Sequence, residues 1–242
     1  MDLQEHVAIV TGGGRGIGRA IALAYAQAGA DVVITAARSF EEAETVAQES
    51  ADLTGSIHAI RADVTDQAEV QGVVERALAL RGRIDVLVNN AARGMKFVNP
   101  QFMTDPQPFW RADPSAWRLV VETNIIGVFL MTRAVVPAML ERRRGSIINV
   151  TVNPETMVRG GFSPYGPSKA ALEAMTKVWE ADLEGTGIAI NLLAPGGATA
   201  TGMIPEEMPA GLSLLDPEIV VPAALELART RRSGRRLVGT AE

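Results

Sequence analysis

Cysteine is absent from the chain, and histidine occurs only at His6 and His58. Disulfides and thiolate chemistry are thereby excluded. The two imidazoles stand far apart in sequence and in no metal-ligand spacing, so no metal site is expected. Basic residues are outnumbered, and the formal net charge is −5. That balance argues against broad nucleic-acid binding, although it leaves room for a local basic site. No apolar run reads as long enough to span a bilayer. The opening Met1-Asp2-Leu3-Gln4-Glu5-His6 lacks the basic and apolar regions of a secretion signal. A soluble cytoplasmic protein is the expectation.

The chain is nonetheless rich in core-forming residues. Hydrophobic residues make up 47% of its 242 positions, which suits one large α/β domain over 1–242. Val7 to Val10 is a short apolar run ending at Thr11-Gly12-Gly13-Gly14-Arg15-Gly16-Ile17-Gly18, with an amphipathic segment from Arg19 to Ala28 behind it. This reads as strand, glycine-rich turn and helix. Glycines there permit a tight backbone and close approach of a phosphate to the helix N-terminus. The spacing is G-x-x-x-G-x-G rather than G-x-G-x-x-G, and a plain glycine-rich connector is the bland alternative. Strands are expected at Asp31–Thr35, Ser56–Arg61, Ile84–Val88, Ser146–Val152 and Gly187–Leu193. Helices are expected at 40–50, 67–80 and 113–143, then from Tyr165 to about Glu184 and over 217–232; Arg235–Val238 is a candidate edge strand. The alternation predicts a single-domain, doubly wound parallel sheet of Rossmann type with helices on both faces.

Ligands of such sheets bind beyond the strand C-terminal ends. The segment after the second strand, Thr35-Ala36-Ala37-Arg38-Ser39, carries no acid to hold the adenosine ribose hydroxyls of NAD. Arg38 and Arg15 suit a ribose 2′-phosphate instead, so NADP(H) is the favoured cofactor; two solvated arginines are the alternative. Asp63 and Val64 follow the third strand and suit an adenine contact, or Asp63 caps the next helix beside Thr65 and Asp66. Tyr165 and Lys169 stand four apart on a helix, which places their β-carbons roughly 5–6 Å apart on one face. The ammonium would favour phenolate and lower the tyrosine pKa from its reference of about 10, fitting it for proton transfer.

Taken together, the T-G-x-x-x-G-I-G turn, Asp63, Asn89-Asn90-Ala91-Ala92, Asn124 and the Tyr165/Lys169 pair resemble the short-chain dehydrogenase/reductase family over nearly the whole chain. The motifs are specific for fold and nicotinamide use, and much less so for substrate. The resemblance implies that the turn residues Gly12, Gly14, Arg15, Gly16, Ile17 and Gly18, with Asn90 and Ala91, hold the cofactor. It implies that Pro195-Gly196 lies against the nicotinamide, with Thr199 or Thr201 bonding its amide. It also implies that Asn124 holds a water linking Lys169 to solvent, and that segment 196–215 is a lid over substrate. A homodimer or homotetramer is implied, paired through the Asn124 helix and the Tyr165 helix, whose Ala170, Ala171 and Ala174 form a small-residue face. The proline-broken stretch 93–116 reads as a long ordered loop near the substrate cleft. Its Met95, Phe97, Phe102, Met103, Phe109 and Trp110 either line a pocket or pack among themselves.

One departure matters. The family carries a serine near the end of the fifth strand that orients the substrate carbonyl, and here that window is Thr151-Val152-Asn153. Val152 has no donor, and strand alternation points Thr151 elsewhere. Asn153 offers an NH₂ donor. The expectation is an NADP(H)-dependent carbonyl/alcohol oxidoreductase acting on a small molecule, with Tyr165, Lys169, Asn124 and Asn153 as its catalytic set. The rivals are imine reduction or a non-redox isomerisation or cyclisation on the same scaffold, and an NADP(H)-binding protein with little turnover.

Overall fold

The computed structural model describes residues 2–239. Seven strands form one parallel sheet: β1 (Val7–Val10), β2 (Asp31–Ala36), β3 (Ser56–Arg61), β4 (Val86–Asn89), β5 (Gly145–Val150), β6 (Ile188–Ala194) and β7 (Arg236–Val238). Their order is β3-β2-β1-β4-β5-β6-β7. The order reverses beside β1, so a crevice opens there at the strand C-terminal ends. Most expected strands lie within two residues of those observed. The fifth is shorter than expected, ending at Val150, so the 151–153 window lies beyond the strand and is free of its alternation.

Helices cover both faces because successive strand side chains point to opposite sides. Ala8, Val10, Val32, Ile34, Val86 and Val88 face one core, closed by α1 (Gly16–Gln27), α2 (Phe40–Glu49) and, farther along the chain, a helix over Val221–Arg229. Val7, Ile9, Val33, Leu87, Ile147 and Ile190 face the other. That core is closed by α3 (Gln67–Arg81) together with the helical stretch 114–142 and the helix carrying Tyr165. Asp66, not Asp63, caps α3, accepting from the amides of Ala68 and Glu69.

The stretch expected as one helix over 113–143 is α4 (Pro114–Val121), a π-turn at Glu122–Gly127, and α5 (Val128–Arg142). A π-turn inserts an extra residue and rotates the next helical turns about the axis. The stretch is also long and apolar enough, by length and composition, to cross a bilayer, which corrects the expectation that no such run exists. Here it lies against the protein core, burying Val120, Val128, Met131, Val135 and Met139. The remaining helices are α6 (Pro154–Met157), α7 (Tyr165–Asp182) and α8 (Val221–Arg229).

A buried polar ladder ties the helices of the second face to the sheet. Asn89 Nδ2 donates to Thr132 Oγ1 on α5 at 3.0 Å and to Asn149 Oδ1 on β5 at 2.8 Å. Asn149 Nδ2 donates in turn to Thr176 Oγ1 on α7 at 2.8 Å. Each link is satisfied by a partner on another element, so the ladder sets where α7 lies on the sheet. Replacing Asn149 by alanine strips partners from two buried groups. A loss of about 2–3 kcal/mol is expected, measured as a lowered urea midpoint with an unchanged slope.

Candidate active site

The crevice beside β1 is a single cleft of about 570 Å³ running from the glycine-rich turn to Tyr165 and Lys169. Its floor is made where β1 and β4 end. Asn90 Nδ2 donates to the carbonyls of Thr11 at 2.9 Å and Gly12 at 3.0 Å. Thr11 Oγ1 accepts from the amides of Asn90 and Ala91, both at 3.0 Å. Gly12 takes φ 65° and Gly16 φ 55°, conformations that a β-carbon penalises. A β-carbon at Gly18 would lie 2.5 Å from Asn90 Nδ2 and would collide with the Gly12 carbonyl. Thus Gly18 serves the packing of α1 on the turn and does not itself line the cleft. No side chain caps α1, so its first-turn N–H groups face the cleft without a protein acceptor. This bare turn, free of β-carbons at Gly12, Gly14 and Gly16, fits a dinucleotide pyrophosphate.

Arg15, Arg38, Ser39, Asp63 and Val64, the residues expected at the adenosine, all line this cleft. Arg38 has no acidic partner among the described residues, and its guanidinium lies 5.5 Å from the centre of the Phe97 ring. Glu42, an acid that nothing in the sequence marks for this place, lines the same end and pairs with Arg15 at 3.4 Å. Both partners are substantially exposed, so a phosphate can compete for Arg15 at little cost. Asp63 accepts from Thr65, through its amide at 2.9 Å and its hydroxyl at 2.7 Å. Its carboxyl is held below the ordinary range by these bonds and by Arg93 and Arg38, against the opposing effect of burial.

Arg93 is a site residue with no signal in the sequence beyond its place after Asn89-Asn90-Ala91-Ala92. It is buried, donates Nε to Thr123 Oγ1 at 2.8 Å, and stands 3.6 Å from Asp63. Its backbone brackets Asn124: the Arg93 amide donates to Asn124 Oδ1 at 2.8 Å, and Asn124 Nδ2 donates to the Arg93 carbonyl at 3.0 Å. Asn124 lies in the π-turn, fully buried, and also donates to Ser168 Oγ on α7 at 3.0 Å. Its side chain is therefore occupied in joining three segments around the site rather than facing solvent, and it is not part of the cleft wall.

Tyr165 opens α7, and both it and Lys169 line the cleft. The expected lowering of the tyrosine pKa is not what this structure shows. Burial pushes the Tyr165 phenol up to about 12 and the Lys169 ammonium down to about 8. The physical reason is desolvation, which disfavours phenolate and ammonium alike; the Lys169 Nζ bond in the site goes to the Val150 carbonyl at 2.8 Å, not to the phenol. Val152 and Asn153 line the same cleft. Thr151 Oγ1 turns away to Glu173 at 2.9 Å, which removes it as a carbonyl donor. Asn153 Nδ2 donates to the Gly196 carbonyl at 2.9 Å, leaving its second N–H available. Pro195, Gly197, Thr199 and Thr201 line the cleft, while Gly196, at φ 89°, does not. Thr199 Oγ1 donates to the Gly197 carbonyl at 3.2 Å.

The long loop does both things considered for it. Met95, Phe102 and Phe162 pack into a small core of their own, and the same three residues line the cleft. Phe109 and Trp110 instead form an exposed edge-to-face pair. The segment carrying Met203 meets this loop at Gly94, where a β-carbon would lie 3.2 Å from Met203 Sδ.

A doubly wound sheet with a bare glycine turn at its switch point, and a half-buried tyrosine with a buried lysine in one cleft, define a dinucleotide-dependent oxidoreductase scaffold. Residues 6–210 match the short chain dehydrogenase family model. The chain is 37% identical over 196 residues to the 3-oxoacyl-[acyl-carrier-protein] reductase FabG of Thermotoga maritima, covering 81% of this chain and 75% of that protein. It is 33% identical over 231 residues to the Escherichia coli FabG, covering 94% and 88%. Among solved structures it superposes on a metagenomic short-chain oxidoreductase in complex with NADP, with a TM-score of 0.82 and 27% identity over 99% of both chains. The chain belongs to the short-chain dehydrogenase/reductase family.

Arg38→Ala is expected to raise the dissociation constant for NADPH at least tenfold and leave that for NADH within about threefold, since a charge-assisted bond contributes about 1.5–3 kcal/mol; fluorescence titration with both cofactors reads this directly. The Lys169 pKa is about 8 when folded against 10.5 for the free side chain. The unfolded chain therefore binds the extra proton between these values, and stability contributed by this residue rises as pH increases through that window. Lys169→Met should remove about 2 kcal/mol of stability gain between pH 8 and 10, seen by comparing denaturation midpoints of the two proteins across that range.

Proposed function

We propose that this protein is an NADP(H)-dependent reductase that interconverts a carbonyl and an alcohol on a small molecule. The observation that carries the reading is the single cleft joining the glycine turn and two guanidiniums to the half-buried Tyr165 phenol. When bound, the cofactor supplies the hydride; the chain supplies placement and the proton. Gly12, Gly14, Gly16 and Ile17 receive the pyrophosphate, and Arg15 and Arg38 receive the 2′-phosphate. Asp63 and Val64 flank the adenine, Asn90 and Ala91 shape the floor, and Pro195 with Thr199 borders the nicotinamide. Tyr165, held protonated by burial, donates its proton to the substrate oxygen as negative charge develops there. Lys169 lies beside the ribose site and supports the phenol. Asn124, through Arg93 and Ser168, keeps this pair in register.

The carbonyl oxygen needs a second donor, and Asn153 takes the place of the serine found elsewhere in the family. The amide is already oriented by its bond to Gly196, so the free N–H is preorganised toward the cleft. The relatives named as 3-oxoacyl-[acyl-carrier-protein] reductases act on oxo groups, which supports a ketone substrate over an imine. Exposed Ile126, Phe129 and Val178, beside exposed Ala170 and Ala174 on α7, favour a homodimer or homotetramer built on α5 and α7. The cytoplasmic setting belongs to the same reading.

The test is NADPH oxidation over a panel of ketones and imines. Tyr165→Phe should abolish ketone turnover while retaining NADPH binding. Asn153→Ala should lower kcat by roughly a hundred- to thousandfold, the loss typical of one oxyanion donor, and Asn153→Ser should restore most of it. Equal turnover by wild type and Tyr165→Phe would remove the proton-donor role, and an unimpaired Asn153→Ala would remove the asparagine from the chemistry.

A further inference from the structure

The substrate end of the cleft contains one charged side chain that carbonyl reduction does not use. Arg159 lines the cleft, and its guanidinium stacks over the Phe162 ring at 4.6 Å. Phe162 is buried and packs edge to face against Phe102 at 5.3 Å, so the surface on which the arginine rests is fixed. The neighbouring wall is apolar, made by Met95, Phe102, Met103, Val152 and Met203. The two acidic residues lining the cleft, Glu42 and Asp63, belong to the adenosine end, where they meet Arg15 and Arg93. Glu155 lies four positions before Arg159, yet among the described residues no acid pairs with it.

A guanidinium without a counter-charge, stacked on an aromatic ring at the edge of an apolar pocket, presents a planar fork of donors. That fork matches a carboxylate in a bidentate bond. One positive charge balances a monoanion. A phosphate dianion would bring a second charge, whereas Lys169 is bonded to Val150 and Arg93 faces Asp63. We infer that Arg159 anchors the substrate by a carboxylate, so that the substrate class is an oxo acid with an apolar body between its reducible carbonyl and its acid group. This rests on the carbonyl-reductase reading for the word "oxo" alone; the carboxylate site stands on the cleft's own charge distribution.

The experiment reads binding rather than turnover. Octanoate and octan-1-ol share a chain length and differ in charge. Their affinities for the NADP⁺-loaded protein are measured by titration calorimetry in wild type, Arg159→Met and Arg159→Lys. Wild type is expected to favour octanoate, and the octanoate-to-octanol affinity ratio should fall roughly tenfold or more in Arg159→Met, the range for a lost charge-assisted bond. Arg159→Lys should retain part of the preference. A wild type without preference for octanoate, or a ratio that Arg159→Met leaves unaltered, overturns the inference. Turnover of neutral ketones without a carboxylate preference would remove the role of Arg159 alone. A carboxylate preference lost in Arg159→Met, in a protein that reduces no ketone, would remove the reductase reading alone.

Discussion

Much of this structure depends on one side-chain amide. Asn90 spans from the end of β4 to the carbonyls of Thr11 and Gly12, and the Thr11 hydroxyl accepts two bonds from the amides of Asn90 and Ala91. Two neighbouring strand ends are thereby locked at the point where the strand order reverses. The glycine turn is held open, the first turn of α1 is aimed into the crevice, and the chain leaves β4 toward Arg93 and the long loop. Gly18 has no room for a β-carbon because this knot fills the space it would need. The residue is required by packing, although it touches no ligand surface.

The Tyr165/Lys169 pair is positioned by a second, independent set of constraints. The Asn89–Asn149–Thr176 ladder places α7 on the sheet, Lys169 reaches back to the Val150 carbonyl, and the π-turn brings Asn124 onto Ser168. Each of these bonds is buried, where an unpaired donor is costly. The site is thus rigid at its chemical centre. Its walls come from less regular elements: the loop carrying Met95 and Phe102, and the segment carrying Met203. The role proposed for Arg159 on Phe162 would make specificity a property of those walls.

Burial decides the electrostatics. A tyrosine and a lysine four apart on a helix suggest mutual stabilisation of phenolate and ammonium. The packed site instead disfavours both charges, raising the phenol and lowering the ammonium. A protonated phenol suits proton delivery to a nascent alkoxide, so the role proposed for the two residues rests on a different physical reason. The loss of the serine fits a similar pattern. Val152 and Asn153 lie past the end of β5, where strand alternation no longer dictates direction, and the bond from Asn153 to Gly196 sets the amide.

By itself the sequence determined the alternation of strands and helices, the glycine turn and the Tyr165/Lys169 pair, and it singled out Arg38, which lines the same cleft. All of these arise from local periodicity, or from residues whose chemistry at short spacing is distinctive. Only the tertiary structure decided that Asn124 sits in a π-turn, since helix propensity cannot reveal an inserted residue that packing enforces. It also decided that Asp66 rather than Asp63 caps α3, that Thr151 turns toward Glu173, and that Arg93 is buried beside Asp63. The apolar stretch 114–142 is long enough for a bilayer but lies against the protein core, because Val120, Met131, Val135 and Met139 meet complementary side chains there. Those outcomes depend on partners distant in the chain, and contacts of that kind exist only once the sheet has closed.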